Sequence, residues 1–194
     1  MAFNFKGTGV ALVTPFHADG SIDFNSFAKL INHLIDNGVD YVVPLGTTGE
    51  SATLSKEDKK AVFKAAVETV NGRIPLVAGI GGNDTRAVIE TIQSFDLKGF
   101  SAILSVAPYY NKPTQEGIYQ HYKAIAAITP LPIILYNVPG RTGSNMTATT
   151  TLRLAALPNI AAIKEASGNL DQMVQIIKNK PKDFKVISGD DGIT

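Results

Sequence analysis

Short runs of β-branched and aliphatic residues recur along this chain, and each is followed by a longer stretch in which apolar residues return every three or four positions. A strand that is apolar on both faces must be covered on both faces, which is what crossover helices do to a parallel sheet. The runs are Gly9–Thr14, Tyr41–Leu45, Leu76–Ile80, Ala102–Val106, Ile133–Asn137, Ala161–Glu165 and Lys185–Ser188, seven in all. Between them the spacing predicts helices over Phe24–Asp36, Lys56–Val70, Thr85–Leu97, Gln115–Ile128, Thr147–Leu157 and Asn169–Lys178. Their starts are marked by residues whose side chains accept from free helical N–H groups. Asp23 and Asp84 stand as N-caps, and Ser55 with Asp58 approximates a capping box.

Strict strand and helix alternation leaves two architectures, the doubly wound open sheet and the closed (β/α)8 barrel. A doubly wound nucleotide fold carries a Gly-x-Gly-x-x-Gly turn or a phosphate loop after its first strand, whereas here that loop reads Thr14-Pro15-Phe16-His17-Ala18-Asp19-Gly20. The later turn Gly79-Ile80-Gly81-Gly82-Asn83 is read as a strand exit in which glycine supplies positive φ, with a phosphate cradle as the alternative. A barrel has eight strands and runs to about 250 residues. Residues 1–194 are therefore expected to form a partial (β/α)8 TIM barrel, truncated after the seventh strand, without the eighth strand or a C-terminal helical domain. An open barrel leaves two strand edges unpaired, so one alternative is a catalytically incompetent barrel fragment.

Composition removes other classes. With 18 Lys plus Arg against 17 Asp plus Glu, no net field draws the chain to nucleic acid or an anionic membrane surface. The absence of cysteine excludes a disulfide framework and a thiol nucleophile. The N-terminus has neither a signal-peptide pattern nor a membrane span, and a cytoplasmic location is expected. His17, His33 and His121 are far apart and lack paired spacing, so no metal site is expected. The sequon Asn145-Met146-Thr147 is read as a chance triplet.

In an α/β barrel the groups that do chemistry sit where strands give way to helices, because those loops surround one mouth. Here those points carry Gly46-Thr47-Thr48-Gly49-Glu50-Ser51, Pro108-Tyr109-Tyr110-Asn111-Lys112-Pro113, Tyr136-Asn137 running into Val138-Pro139-Gly140-Arg141-Thr142-Gly143, Lys164-Glu165, and Ser188-Gly189-Asp190-Asp191. Lys164 follows Ile160-Ala161-Ala162-Ile163, whose apolar side chains disfavour a charged amine, and a neutral amine attacks carbonyls. The plainer reading is a strand-end lysine that snorkels outward or pairs with Glu165. Tyr136 shares a strand face with Ile134 and offers a phenol for proton transfer if strands five and six are neighbours. Thr47 and Thr48 offer hydroxyls and exposed amides to a small carboxylate, and Arg141 can present its fork to another. Each also has an ordinary structural reading; their joint position at strand ends is what singles them out.

At these motifs the chain resembles the dihydrodipicolinate synthase / N-acetylneuraminate lyase family of pyruvate-dependent class I aldolases. The likeness runs from Gly9-Val10-Ala11-Leu12-Val13-Thr14-Pro15-Phe16 to Ser188-Gly189-Asp190-Asp191. It implies that Lys164 forms an imine with pyruvate and that Thr48 and adjacent amides hold the pyruvate carboxylate. Thr47, Tyr136 and Tyr110 match the family's proton relay, with Tyr110 crossing between subunits, so a homodimer within a homotetramer is implied. Arg141 matches the residue that grips L-aspartate semialdehyde, and Gly189 lines the pocket. The Thr-Thr pair and Arg141 fit the synthase branch of the family, whose reaction condenses pyruvate with L-aspartate semialdehyde in lysine and diaminopimelate biosynthesis without a cofactor. Another pyruvate-dependent aldolase of the same family is the nearest rival. Where lysine-inhibited members use His, His and Glu, this chain has Lys56, Lys59 and Ala87, although Ser51, Ala52, Asn83 and Tyr109 match. The resemblance therefore implies weak or absent feedback by lysine.

Overall fold

The computed structural model describes residues 5–190 and Gly192. Asp191, named above in the seventh strand-end loop, lies outside the described residues, as do residues 1–4 and 193–194. The strands are β1 (Gly9–Ala11), β2 (Tyr41–Val43), β3 (Val77–Gly79), β4 (Ala102–Val106), β5 (Ile133–Asn137), β6 (Ile160–Glu165) and β7 (Lys185–Ser188). The α-helices are α1 (Phe24–Asp36), α2 (Lys56–Val70), α3 (Thr85–Ser94), α4 (Gln115–Ala126), α5 (Pro139–Thr142), α6 (Ala148–Ala155) and α7 (Leu170–Asn179). Among the described residues no helix is long and apolar enough to cross a membrane.

The chain divides into two units, residues 1–79 with 95–103, and residues 80–94 with 104–194. In the first, β1 and β2 pair in parallel with Gly9, Val10 and Ala11 opposite Tyr41, Val42 and Val43. Leu76 bridges Val42 in parallel just before β3. Helices α1 and α2 pack together and bury Phe27 and Ile31 from one, and Val62, Phe63, Ala66 and Val70 from the other. Ser55 accepts from the Asp58 N–H at 3.1 Å while Asp58 accepts back from the Ser55 N–H, completing the capping box read from the sequence. β1 ends at Ala11 rather than Thr14, because Thr14 turns its hydroxyl to the Gly49 carbonyl at 2.7 Å and Pro15 has no N–H to extend a ladder.

In the second unit the end of β4, β5, β6 and β7 form a parallel run in sequence order. α4 packs on α3 and α6, and α6 on α7. α3 stops three residues short of Leu97, where the Asp96 carboxylate captures the Lys98 N–H at 2.9 Å and turns the chain. α4 stops at Ala126 rather than Ile128, ahead of Pro130, which disfavours helical geometry in the residue before it. In β6 one extra residue stands between the pairs Ile133–Ile160 and Ile134–Ala162. Beyond that irregularity Leu135 faces Ile163, Tyr136 faces Lys164 and Asn137 faces Glu165.

The glycine turn after β3 differs from its sequence reading. Gly79, Gly81 and Gly82 do not have positive φ. A Cβ on Gly79 would collide with the Leu45 carbonyl, and one on Gly81 would lie 2.7 Å from the Val106 nitrogen. Gly79 and Gly81 are required by close backbone approach, not by turn conformation, whereas at Gly82 a Cβ would meet only the Val88 side chain.

His121, on α4, is buried and bonds Thr85 Oγ1 through Nδ1 at 2.8 Å, while its Nε2 has no hydrogen-bond partner among the described residues. Burial lowers its pKa to about 4. Above about pH 6.5 the imidazole is neutral in both folded and unfolded chains, and no proton linkage acts. Between pH 6.5 and 4 the unfolded chain takes up a proton that the folded core refuses, so stability falls with pH by up to about 3 kcal/mol. Urea unfolding from pH 7 to 4 is expected to show this loss, and His121→Leu to flatten that part of the profile.

Candidate active site

Lys164 is the fifth residue of β6, whose buried Ala162 and Ile163 fix the strand in the core and leave its last turn to carry the amine. The lysine is half-buried and lies directly across from Tyr136 on β5. Its Nζ sits 4.8 Å from the centre of the Tyr136 ring, over the π face. Tyr136 is 8% exposed, with its main chain held by the Ala107 N–H donating to its carbonyl at 2.9 Å. Gly189 closes the third side. Its N–H donates to the Glu165 carbonyl at 2.8 Å, and a Cβ there would lie 3.0 Å from Lys164 Cε and 2.8 Å from Ala166 Cβ. Three residues singled out at the ends of different strands therefore meet around one aliphatic stem.

Neighbouring strand residues point to opposite faces. Glu165 accordingly does not act as the lysine's simple companion, the plainer reading of the sequence. It is fully buried, and its carboxylate accepts from Asn137 Nδ2 at 3.0 and 3.2 Å, from the Ser167 N–H at 2.9 Å and from Gln172 Nε2 at 3.1 Å. Asn137 also accepts from the Met146 N–H at 2.9 Å and donates to Asn145 Oδ1 at 2.8 Å. Asn145 in turn donates to Gln172 Oε1 at 2.9 Å, so the amide of the sequon is committed to the interior. The roles of Asn145 and Gln172 were not read from the sequence. The available signal was Asn137 and Glu165 themselves, two polar residues ending strands that are otherwise apolar.

Arg141 lies on α5, a single helical turn where a loop was expected. Pro139 at its first position has φ preset for a helix, and Gly143 caps it in the left-handed conformation with its N–H on the Pro139 carbonyl at 2.9 Å. Buried Thr142 pins the turn by donating to the Ser144 carbonyl at 2.8 Å, leaving the Arg141 side chain exposed. The Tyr110 N–H donates to the Thr142 carbonyl at 3.2 Å, joining the loop after β4 to this turn. Tyr110 has φ +72° and is 88% exposed. For a bulky residue that backbone conformation costs on the order of 1–3 kcal/mol.

In the first unit Thr47 and Thr48 are exposed on a 3₁₀ turn, Thr47–Gly49. Leu45 and Glu50, at φ +59° and +54°, bracket it. Buried Gly49 lies so close to β1 that a Cβ would come within 3.0 Å of the Leu12 carbonyl, and Thr14 locks it there.

Parallel strands alternating with helices, with an amine beside a phenol at neighbouring strand ends, are the arrangement of an α/β barrel protein whose polar groups gather at the strand ends. The sequence profile of the dihydrodipicolinate synthetase family matches residues 4–194. The chain is 61% identical over 192 residues to the 4-hydroxy-tetrahydrodipicolinate synthase of Parabacteroides distasonis, covering 98% of this chain and 65% of that protein. It is 52% identical over 192 residues to the Bacillus subtilis protein of the same name, covering 98% and 66%. Among solved structures, dihydrodipicolinate synthase from Bacillus anthracis superposes with a TM-score of 0.94 at 49% identity, over 100% of this chain and 66% of that one. A structure described as the first monomeric dihydrodipicolinate synthase variant gives 0.92 at 42% identity, over 96% and 63%. The chain belongs to the dihydrodipicolinate synthetase family and has the α/β barrel fold of these structures. It spans about 65% of the length of the first relatives.

Gly189→Ala forces either Ala166 or the lysine stem to move, and overpacking of this kind costs roughly 1–3 kcal/mol. Gly140→Ala meets nothing within 4 Å. Denaturant unfolding of the two variants is expected to show a loss in the first and none of that size in the second.

Proposed function

We propose that this chain carries the nucleophile of a class I aldol condensation between pyruvate and L-aspartate semialdehyde. The product is 4-hydroxy-tetrahydrodipicolinate, in lysine and diaminopimelate biosynthesis. The observation that carries the reading is Lys164 Nζ held 4.8 Å over the Tyr136 ring at the ends of paired strands. The names of the relatives supply the product, and the resemblance of the motifs to the family supplies the substrates.

The uncharged Lys164 amine adds to C2 of pyruvate, and the carbinolamine loses water to leave an imine. Once protonated, that imine draws electrons from C3, which releases a proton and becomes an enamine carbon. No metal or organic cofactor is required, because the iminium is itself the electron sink. The enamine attacks the aldehyde carbon of the semialdehyde, and the aldehyde oxygen takes a proton. The amino group of the semialdehyde then adds to the iminium carbon and displaces Lys164, closing the ring and freeing the enzyme. Positive charge remains at Nζ in both the ammonium and the iminium, and the π face of Tyr136 suits it in each. The phenol of Tyr136 is assigned proton transfer, with Thr47 and Tyr110 completing the relay by their match to the family motifs. Thr48 and its neighbouring amides are assigned the pyruvate carboxylate, and Arg141 that of the semialdehyde. The homodimer and homotetramer belong to the same reading, supported by the exposed, strained Tyr110 and by a matched structure being singled out as the first monomeric variant. A reducing cytoplasm suits a cysteine-free chain.

Borohydride reduction of the full-length protein with pyruvate, followed by peptide mass mapping, tests the reading. One reduced pyruvate is expected on Lys164 and none in Lys164→Ala, whose turnover falls at least about a thousandfold. Absence of an adduct in the folded wild-type protein overturns the mechanism. Arg141→Ala is expected to lower kcat/KM for the semialdehyde by about tenfold to a hundredfold, the loss of a charged hydrogen-bond donor. Its rate of imine trapping stays near that of the wild type. Equal damage to both steps would instead favour a different second substrate.

A further inference from the structure

We infer that Glu165 is a positioning residue for the reaction, acting through a buried carboxylate–amide clamp on the side of the sheet opposite Lys164. The inference rests on the Schiff-base reading of Lys164. Three segments meet on this one carboxylate, and a fourth is held through them. Asn137 comes from the end of β5, directly after Tyr136; Ser167 follows β6; Gln172 stands in the first turn of α7; Asn145 and Met146 lie just beyond the turn that carries Arg141. Both carboxylate oxygens accept from Asn137, and each accepts one further bond, Oε1 from the Ser167 N–H and Oε2 from Gln172. Asn137 passes the constraint on through Asn145 and the Met146 N–H, while Gln172 holds Asn145 Oδ1 and the Met146 carbonyl from the other side.

A carboxylate with no exposed surface costs a great deal to desolvate, and its partners among the described residues are neutral amides. An apolar pair would hold two strands together more cheaply. What the carboxylate adds is direction: it is acceptor-only, so each surrounding amide must turn its N–H inward, which fixes their orientations as a set. Asn137 and Glu165 are register partners immediately after Tyr136 and Lys164. Locking that pair on one face therefore sets how the phenol and the amine meet on the other, and the same clamp anchors the chain leaving the Arg141 turn.

Glu165→Gln keeps the volume but replaces one acceptor by a donor aimed at donors. In the full-length protein it is expected to slow borohydride trapping of pyruvate on Lys164 about tenfold, since small misplacements of reacting groups carry penalties of that order or more. It should also lower kcat with little change in the KM for pyruvate. Adding Asn137→Asp returns an acceptor opposite the new donor and is expected to recover most of the trapping rate. A purely structural role would lower the melting midpoint while folded protein traps pyruvate at the wild-type rate, which overturns the inference, as does failure of the double variant to recover. Should Glu165→Gln not fold, Gln172→Leu removes one donor to the carboxylate together with the bonds of Gln172 to Asn145 and Met146, and its expected loss is at least about threefold; an unchanged trapping rate there overturns the clamp. If wild-type protein forms no adduct, the Schiff-base reading itself fails, an outcome separate from any behaviour of the variants.

Discussion

One additional residue in β6 decides what faces what at the end of the sheet. Ile133 pairs with Ile160, but Ile134 pairs with Ala162, so every later partner in β6 is displaced by one. Without that displacement Tyr136 would oppose Ile163, and Asn137 would oppose Lys164. A one-residue slip changes both the partner and the face it shares, because side chains alternate along a strand. The phenol beside the amine, and the amide beside the buried carboxylate, both follow from this irregularity. β7 then enters in register with Ile187 opposite Lys164, which brings Gly189 beneath the lysine stem.

Around the two threonines, backbone proximity and left-handed backbone fall on different residues. Gly49, Gly79, Gly81 and Gly189 are places where another segment occupies the space of a side chain, and none needs a left-handed conformation. Left-handed backbone is taken by Leu45 and Glu50 around the two threonines and by Tyr110 and Lys112 after β4, as well as by Phe5 and Asn71 elsewhere. Non-glycine residues held in that region cost energy unless their surroundings over-determine them, and such residues concentrate where function constrains shape. Here Leu45 and Glu50 flank Thr47 and Thr48, and Tyr110 is itself one of the residues to which the family motifs assign chemistry.

Much of the fold was legible beforehand. Seven strands and six helices fell where apolar runs and caps marked them, and Ala102–Val106, Ile133–Asn137 and Lys185–Ser188 matched at both ends. Boundaries shifted where a side chain competed for backbone groups, as Asp96 does at the end of α3 and Thr14 at the end of β1. The turn at Pro139–Thr142 was missed because a four-residue helix has no periodicity to detect, although its Pro and Gly punctuation was present. The glycines after β3 were misassigned because a glycine needed for close approach and one needed for positive φ look alike in a single sequence.

By itself the sequence determined the order of elements, the polar character of the strand ends and the identity of Lys164, Tyr136, Arg141, Thr47 and Thr48 as residues with chemistry to offer. These are properties of local pattern, fixed by periodicity of two or of 3.6 and by side-chain type. Only the tertiary structure decided that Tyr136 and not Asn137 faces the lysine, that Gly189 must lack a side chain, and that Glu165 belongs to an amide network rather than to Lys164. Register, close approach and hydrogen-bond partnership are relations between segments that lie far apart in the chain, and no single segment encodes them.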